Sequence, residues 1–441
     1  MRNATRHAPA VTGLALLAVL ALTGCTTSSA GAADEDAGPV GVPEGVVELP
    51  DQEWFPTDDT TTLGSSDEEI PSDDEIPQKL HVGKVDPIGE DEVVLVGTQW
   101  GLQVVSAAVD PATGEVTANL TTGPGIWDAV LHPFVGKTSD DPVILAQEVW
   151  RPRGSRGAAD FTISTYSGTM LEPDEIEMPK YTRAHSRWGS SVVTDDGKYF
   201  AFWDDALYGL RVFDLAKGKE TGALPALGCG PFTWSSGHRI YSVCEDTREL
   251  VEYTIAKDGS ISETGREEVL PDDFVSNRHA SLAHEAHQAL LVSANGDVFV
   301  FDFADGLPTS PVQPIGNAGQ DSGRFDEAVL NTTATSLVVG YTDSAIHPDS
   351  VDGGEQVKLI VSDPATFATL ATLDLASMQL ASIGGFAYSV DGTTLYVTGS
   401  DADEATVIVG FDALTGAEVS RAVIDGFTDS PSRILTPQVI G

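Results

Sequence analysis

A short apolar strand ending in a turn recurs seven times after residue 80, and this repeat limits the chain to few folds. In the clearest copies the turn contains Asp, whose side chain can accept hydrogen bonds from the turn backbone, and Gly, which tolerates positive φ. Successive copies lie about 40–60 residues apart, and a period of roughly 40–50 residues built of short strands is typical of β-propeller blades. The copies occupy residues 106–114, 165–168, 210–218, 254–259, 298–306, 361–366 and 409–416.

The segments between these turns predict strands rather than helices. Residues 198–203 alternate in the period of two that a half-buried strand requires, and no segment with a helical period follows the N-terminal region. Each blade is expected to contain an inner strand, a second strand, a third strand, the Asp/Gly hairpin and an outer strand. The sequence therefore predicts an all-β fold, a seven-bladed β-propeller over residues 79–441. Residues 432–439 are expected to close the ring beside strands near 80–97, which would hide the strand edges.

The N-terminus has the pattern of a secretory signal over residues 1–24. Arg2 and Arg6 precede an apolar run from Val11 to Leu22, which is too short to span a bilayer. The run ends in Leu-Thr-Gly-Cys25, which resembles the bacterial lipobox, in which the Cys is acylated and becomes the new N-terminus. The resemblance implies that acyl chains on Cys25 anchor the protein at the extracytoplasmic face of the membrane. The alternative is an ordinary signal peptide with a chance Cys.

Residues 25–78 are rich in Ser, Thr, Gly, Pro and acids, and the first Lys after the signal is Lys79. Such a segment repels itself and cannot bury enough apolar surface to fold, so we expect a disordered acidic tether. The whole chain has a formal net charge of -43. This charge argues against binding to nucleic acid or to anionic lipid headgroups, because both need clustered cations.

Two cysteines remain after Cys25, namely Cys229 and Cys244. A hairpin turn centred between Ser236 and Gly237 would set them opposite each other on antiparallel strands, where disulfide geometry is accessible. Outside the cytoplasm such a pair should be oxidised. We therefore predict a structural disulfide, with a metal-binding or redox pair as the alternative.

In a propeller, the loops that enter the inner strands converge on one mouth of the central channel. His185 and His279 lie in two such loops of similar sequence, and Asp128 and Asp326 lie in two others. Imidazole and carboxylate groups together are a plausible zinc or copper ligand set. The alternative is that each His caps its own loop.

Four further histidines are expected in turns. His284 and His287 follow an inner strand, so the helix-spacing rule for metal ligands does not apply to them, and they could form at most a small surface site. His132 and His238 occupy similar turns and are expected to be structural.

Two resemblances bear on function. The Leu395-Tyr-Val-Thr-Gly399 segment resembles the Tyr-Val-Thr-Asn repeats of surface-layer and quinoprotein-like propellers, which implies a fold and no chemistry. The segments Gly228-Cys-Gly-Pro231 and Cys244-Glu-Asp246 resemble those of secreted zinc-chaperone propellers that serve ABC-type importers. That resemblance implies zinc binding and delivery to a metal importer. The sequence departs from it at Phe232, where a His would be expected, and by lacking a closely spaced Asp-His-Gly-Asp-His cluster.

Motifs for enzymatic chemistry are absent from the sequence. It contains no Gly-x-Ser-x-Gly elbow, no phosphate-binding glycine loop and no His-Glu-x-x-His. The leading hypothesis is therefore a non-enzymatic binding module that presents its channel mouth to a ligand or a partner protein. The alternatives are an extracytoplasmic zinc protein that delivers to an ABC-type importer, and a quinoprotein-like or lactonase-like enzyme.

Overall fold

The computed structural model describes residues 85–97, 104–123, 130–150, 158–168, 172–182, 184, 189–230, 233–283, 286–317, 323–343, 355–427 and 431–440. At 233–234 and 276–283 it describes the backbone. These residues form seven four-stranded antiparallel sheets, which confirms the seven-bladed all-β propeller. Within the described ranges, no helix is long and apolar enough to cross a bilayer.

The strands of each blade follow one another from the central channel to the rim. Blade one contains β28 (Pro431–Leu435), β1 (Val93–Gly97), β2 (Val104–Val109) and β3 (Val116–Thr122). Blade two contains β4 (Val130–Pro133), β5 (Ile144–Trp150), β6 (Asp160–Tyr166) and β7 (Asp174–Glu177). Blade three contains β8 (Ser191–Val193), β9 (Tyr199–Asp204), β10 (Gly209–Asp214) and β11 (Lys219–Pro225). Blade four contains β12 (Thr233–Ser236), β13 (Arg239–Cys244), β14 (Glu249–Ile255) and β15 (Ile261–Glu268).

The last three blades have the same order. Blade five contains β16 (Ser276–Ala283), β17 (Gln288–Ser293), β18 (Asp297–Asp302) and the short β19 (Gly316–Asn317). Blade six contains β20 (Arg324–Leu330), β21 (Leu337–Thr342), β22 (Gln356–Ser362) and β23 (Thr369–Asp374). Blade seven contains β24 (Ser382–Tyr388), β25 (Thr394–Ser400), β26 (Thr406–Asp412) and β27 (Glu418–Val423), and α1 (Leu375–Met378) precedes it.

Both ends of the described chain contribute to blade one. The C-terminal strand β28 pairs antiparallel with β1, with Ile434 opposite Leu95. The Ser432 hydroxyl donates to the carbonyl of Gly97 at 3.0 Å, and Ile434 and Leu95 share one buried apolar cluster. This confirms the predicted closure, in which the last strand covers the edge that β1 would otherwise expose.

The Asp/Gly turns join the third strand of a blade to its outer strand, as predicted. In blade seven, Asp412 accepts hydrogen bonds from the backbone and the hydroxyl of Thr415 at 2.8 and 2.7 Å. The Thr415 hydroxyl contributes most to holding the pKa of Asp412 below its ordinary value. Gly416 then takes a φ of 66°, where a side chain would be strained. The Asp and Gly of the repeat therefore act locally, by closing hairpins.

The core lies between neighbouring blades, so the middle strands are buried on both faces. Every residue of β9 is buried, so the half-buried strand predicted over residues 198–203 is wrong. A middle strand is covered by neighbouring blades on both faces, which favours a nearly continuous apolar sequence. Between blades four and five, Tyr241 stacks on Phe303 with ring centroids 3.9 Å apart. Seven such clusters of described residues link successive sheets into a ring.

Cys229 and Cys244 form a disulfide that closes a 15-residue separation. The predicted turn is wrong by one residue, because Ser236 pairs with Arg239 and the two-residue loop is Gly237–His238, with a φ of 60° at Gly237. Nearer the cysteines, the amide of Gly230 donates to the carbonyl of Val243 at 2.7 Å. The register therefore shifts between the turn and the disulfide, and this shift restores the opposition of the two cysteines.

Candidate functional site

The antiparallel order of the strands divides the loops between two faces of the disc. Loops from a second to a third strand, and from an outer strand to the next inner strand, lie on one face, which we call the mouth face. Turns between first and second strands and the Asp/Gly hairpins lie on the opposite face, which we call the turn face. The inner strands form the wall of the central channel between them.

A group of charged and polar side chains lies in the channel wall, in the half nearer the mouth face. We call it the channel-wall cluster, and it consists of Arg324, Asp326 and Glu327 on β20, Gln356 on β22 and Arg433 on β28. The side chains on β20 are almost withdrawn from solvent, with exposed fractions of 5% for Arg324, 9% for Asp326 and 7% for Glu327. Charged residues are rarely buried without a partner, so each contact in this cluster matters.

An irregularity in β20 explains why two acids share a buried strand. The pairing of β20 with β21 shifts register between Phe325 and Ala328, and both of these residues pack into the core beside blade five. The extra residue at such a bulge changes the direction in which the neighbouring side chains point. Asp326 and Glu327 occupy the bulge.

Glycines on the neighbouring strands make room for the cluster. A Cβ atom on Gly340 would lie 2.6 Å from the side-chain amide carbon of Gln356, so only Gly lets Gln356 pass over β21. The amide nitrogen of Gln356 then donates to Oε2 of Glu327 at 3.0 Å. A Cβ atom on Gly385 would lie 3.0 Å from Cα of Arg433, so Gly385 lets β28 approach β24 closely.

Glu327 is the most perturbed acid of the cluster. Burial raises its pKa to about 8, and the hydrogen bond from Gln356 and the charge of Arg433 only partly oppose that rise. Asp326 adds to it by repulsion between like charges. The Glu327 carboxyl is therefore largely neutral at pH 7 and can donate a hydrogen bond. Strongly perturbed groups of this kind concentrate at functional sites.

Two buried atoms of the cluster are unsatisfied. Nε of Arg324 and Oε1 of Gln356 have no hydrogen-bond partner among the residues that the structure describes. Nη2 of Arg324 lies 3.9 Å from Oδ1 of Asp326, which is a loose ion pair. Buried polar groups are nearly always satisfied by protein, water or ligand. Nε of Arg324 and Oε1 of Gln356 are therefore a donor and an acceptor that a polar ligand or an ordered water could satisfy.

Of the predicted metal set, the structure describes the side chain of Asp326 alone. Asp326 belongs to the channel-wall cluster, whereas Asp128 and His185 lie outside the described residues, as does His284. His279 lies in β16, and the structure describes only its backbone. In the described portion of the chain, no group of three or more His, Cys, Asp or Glu side chains could hold a metal ion. Zinc binding by these residues stays a prediction.

Three histidines bridge neighbouring blades instead. Nε2 of His132 lies 2.9 Å from the hydroxyl of Ser191, which links blades two and three. On the turn face, Nε2 of His238 lies 2.9 Å from Asp196, and Nδ1 of His287 lies 2.7 Å from the hydroxyl of Ser236. These contacts join blades three, four and five at the turns, in agreement with a structural role for His132 and His238.

Sequence reasoning missed Glu327, Gln356 and Arg433. One signal was available, because the adjacent acids Asp326 and Glu327 interrupt the apolar part of the strand that follows Arg324. Adjacent side chains of a regular strand point to opposite faces. In a strand that is buried on both faces, two adjacent charged side chains would both enter the core, so such a pair predicts a bulge or a functional site. Nothing local marks Gln356 or Arg433.

Comparisons with known proteins support the fold. No protein-family model and no curated protein matches the sequence. A solved structure of a protein from Lactobacillus plantarum is 11% identical with a TM-score of 0.52, and the match covers 78% of this chain and 98% of the other. A candidate 6-phosphogluconolactonase from Bacteroides fragilis is 12% identical with a TM-score of 0.50, and that match covers 78% of this chain and 97% of the other.

Proposed function

We propose that this protein is a lipid-anchored extracytoplasmic propeller that binds a small organic anion at the channel-wall cluster. The observation that supports this most strongly is the buried Arg324, whose Nε has no partner in the described part of the chain. A guanidinium group can bind a carboxylate or phosphate through two parallel hydrogen bonds, and in a buried site that interaction is strong.

The charge of the cluster favours an anion. With Glu327 neutral at pH 7, the described part of the cluster contains two guanidinium groups, those of Arg324 and Arg433. A neutral Glu327 can also donate to a ligand oxygen. A polyhydroxy carboxylate such as gluconate fits this combination of donors.

Substituting Arg324→Gln is expected to weaken gluconate binding by roughly tenfold or more, because a charge-assisted hydrogen bond contributes about 1.5–3 kcal/mol. Isothermal titration calorimetry of the purified propeller measures this, with inorganic phosphate as a second probe. The matched control is Arg239→Gln, since the Arg239 side chain is 52% exposed and only loosely paired with Glu252 at 3.9 Å. Equal affinities for wild type and Arg324→Gln, or no binding of either probe, would contradict the proposal.

The anchor has its own test. Intact-mass analysis of membrane-extracted protein is expected to show an acylated N-terminal Cys25, and Cys25→Ala is expected to release the protein from the membrane. The reason is the lipobox-like Leu-Thr-Gly-Cys25 segment after the apolar run. A mature N-terminus at any other residue would exclude this anchor.

Hydrolysis of a lactone is a second candidate function, and one observation favours it. The pKa of Glu327 is raised to about 8, and a carboxyl group with a pKa near the working pH is suited to general acid–base catalysis. In the ionised form Glu327 could take a proton from a water that attacks the lactone carbonyl, while an arginine stabilises the oxyanion of the tetrahedral intermediate. Collapse of the intermediate would break the ring C–O bond, and Glu327 would return the proton to the departing hydroxyl oxygen. Gluconolactone opening above the spontaneous rate, with a rise near pH 8 that Glu327→Gln abolishes, would support it. Wild-type rates equal to the spontaneous rate would reject it.

A further inference from the structure

A second surface of the mouth face is unrelated to the channel wall. Five large apolar or aromatic side chains are exposed on the mouth-face loops of blades two to five: Trp150, Tyr181, Tyr208, Leu227 and Val275. Tyr208 and Leu227 are exposed by 63% and 79%. Contiguous exposed apolar surface commonly marks an interaction site.

Loops of blades three to five adjoin one another along the mouth face. The amide of Ala226 donates to the carbonyl of Tyr208 at 2.9 Å, which joins the loops that carry Tyr208 and Leu227. A Cβ atom on Gly228 would lie 3.7 Å from Oδ2 of Asp246, and the Arg248–Asp272 ion pair joins the turn of Asp246 to the segment that leads to Val275. We call Tyr208, Leu227, Asp246, Asp272 and Val275 the mouth ridge.

Acidic side chains lie within the mouth ridge and beside it. Asp246, Asp272 and Asp273 are all exposed. A neighbouring cation, Arg248, is already paired with Asp272 and Glu268. The ridge therefore combines apolar anchors with excess negative charge.

The backbone of Tyr208 decides which substitution its turn tolerates. Its φ is 51°, in the left-handed region that Gly adopts freely. The Tyr208 side chain is exposed. Gly at position 208 would therefore remove the ring and keep the turn.

We propose that the mouth ridge docks a basic polypeptide segment in which Lys or Arg side chains alternate with apolar ones. The charge of the ridge selects this partner. A second copy of a chain with net charge -43 would be repelled, as would an anionic membrane surface. Tyr208 offers a ring face to a guanidinium group, and Tyr is enriched at the centres of protein interfaces. This inference does not depend on anion binding at the channel wall.

The test uses a fluorescein-labelled peptide of about 12 residues with alternating Arg and Leu, in about 0.2 M salt to screen non-specific attraction. Fluorescence anisotropy with the intact propeller is expected to show saturable binding. The double variant Tyr208→Gly with Leu227→Ser is expected to bind at least about tenfold more weakly, while its thermal unfolding shows that the fold is retained. Glycine suits the φ of position 208, so loss of binding could not be attributed to unfolding.

The matched control is Val419→Ser with Val423→Ser, because both valines are exposed on the outer strand of blade seven. This variant is expected to bind like wild type. A peptide with Ser in place of Leu separates the contribution of charge from that of the apolar anchors, and it is expected to bind more weakly. Equal binding by both double variants would overturn the proposal. Absence of saturable binding by wild type, or dimerisation through the ridge in sedimentation experiments, would overturn it as well.

Discussion

Replacing Glu327 with Gln is expected to stabilise the folded protein in alkaline solution by about 2–5 kcal/mol at pH 9 and by much less at pH 5. The folded protein holds the Glu327 proton up to a pKa of about 8, whereas an unfolded chain releases it near pH 4.3. Between these values the native state binds more protons, so the stability of the wild type falls as pH rises through that window. Gln has nearly the same shape and carries no charge to bury.

Urea unfolding of wild type and variant at pH 5, 7 and 9 measures this difference. The control is Glu177→Gln on the exposed outer strand β7, which is expected to change the free energy of unfolding by less than about 0.5 kcal/mol. A difference between Glu327→Gln and wild type that is constant over this pH range would mean that Glu327 is ionised in the folded protein.

Substituting Ile434→Asp is expected to destabilise the propeller by roughly 4 kcal/mol or more, because it puts an unpaired charge into the core and removes apolar contact. Ile434 is 5% exposed and packs with Leu95 and Ile408 between blades one and seven. Loss of β28 would also expose the edge of β1, and open edges promote aggregation. Urea unfolding measures the stability, and size-exclusion chromatography measures the aggregation.

Val439→Asp is the control, since Val439 lies in the same C-terminal segment and is 52% exposed. It is expected to be nearly neutral. If Ile434→Asp were as stable as wild type, ring closure by β28 would not hold the blades together.

The fold could be predicted because its signals are local. An Asp such as Asp412 and a Gly such as Gly416 close a hairpin by contacts within a few residues. Because each blade contains one such hairpin, the number of repeats in the sequence gives the number of blades. The closing strand was also predictable, since a ring of blades must cover its first edge. The hairpin turn near Cys229 was predicted one residue early, because either neighbour of Gly237 could share the two-residue loop.

The channel-wall cluster could be predicted only in part. Asp326 was selected as a residue of a loop that enters an inner strand, whereas it lies within the strand β20. The pKa of Glu327 is raised by burial, which no local pattern reports. Its partners Gln356 and Arg433 come from other strands, and they reach it because Gly340 and Gly385 leave space. Such contacts depend on the assembled ring and cannot be derived from spacing along the chain.

The proposed anion site requires a neutral, buried Glu327 beside arginines. The most direct test is a carbon-13 NMR titration of glutamate side-chain carboxyls, with and without gluconate, in wild type and in Glu327→Gln. We expect one carboxyl signal that titrates near pH 8, that shifts when gluconate is added and that is missing from the variant. The site would be contradicted if every glutamate titrated below about pH 6, the range of ordinary carboxyls, or if gluconate left the Glu327 signal unchanged.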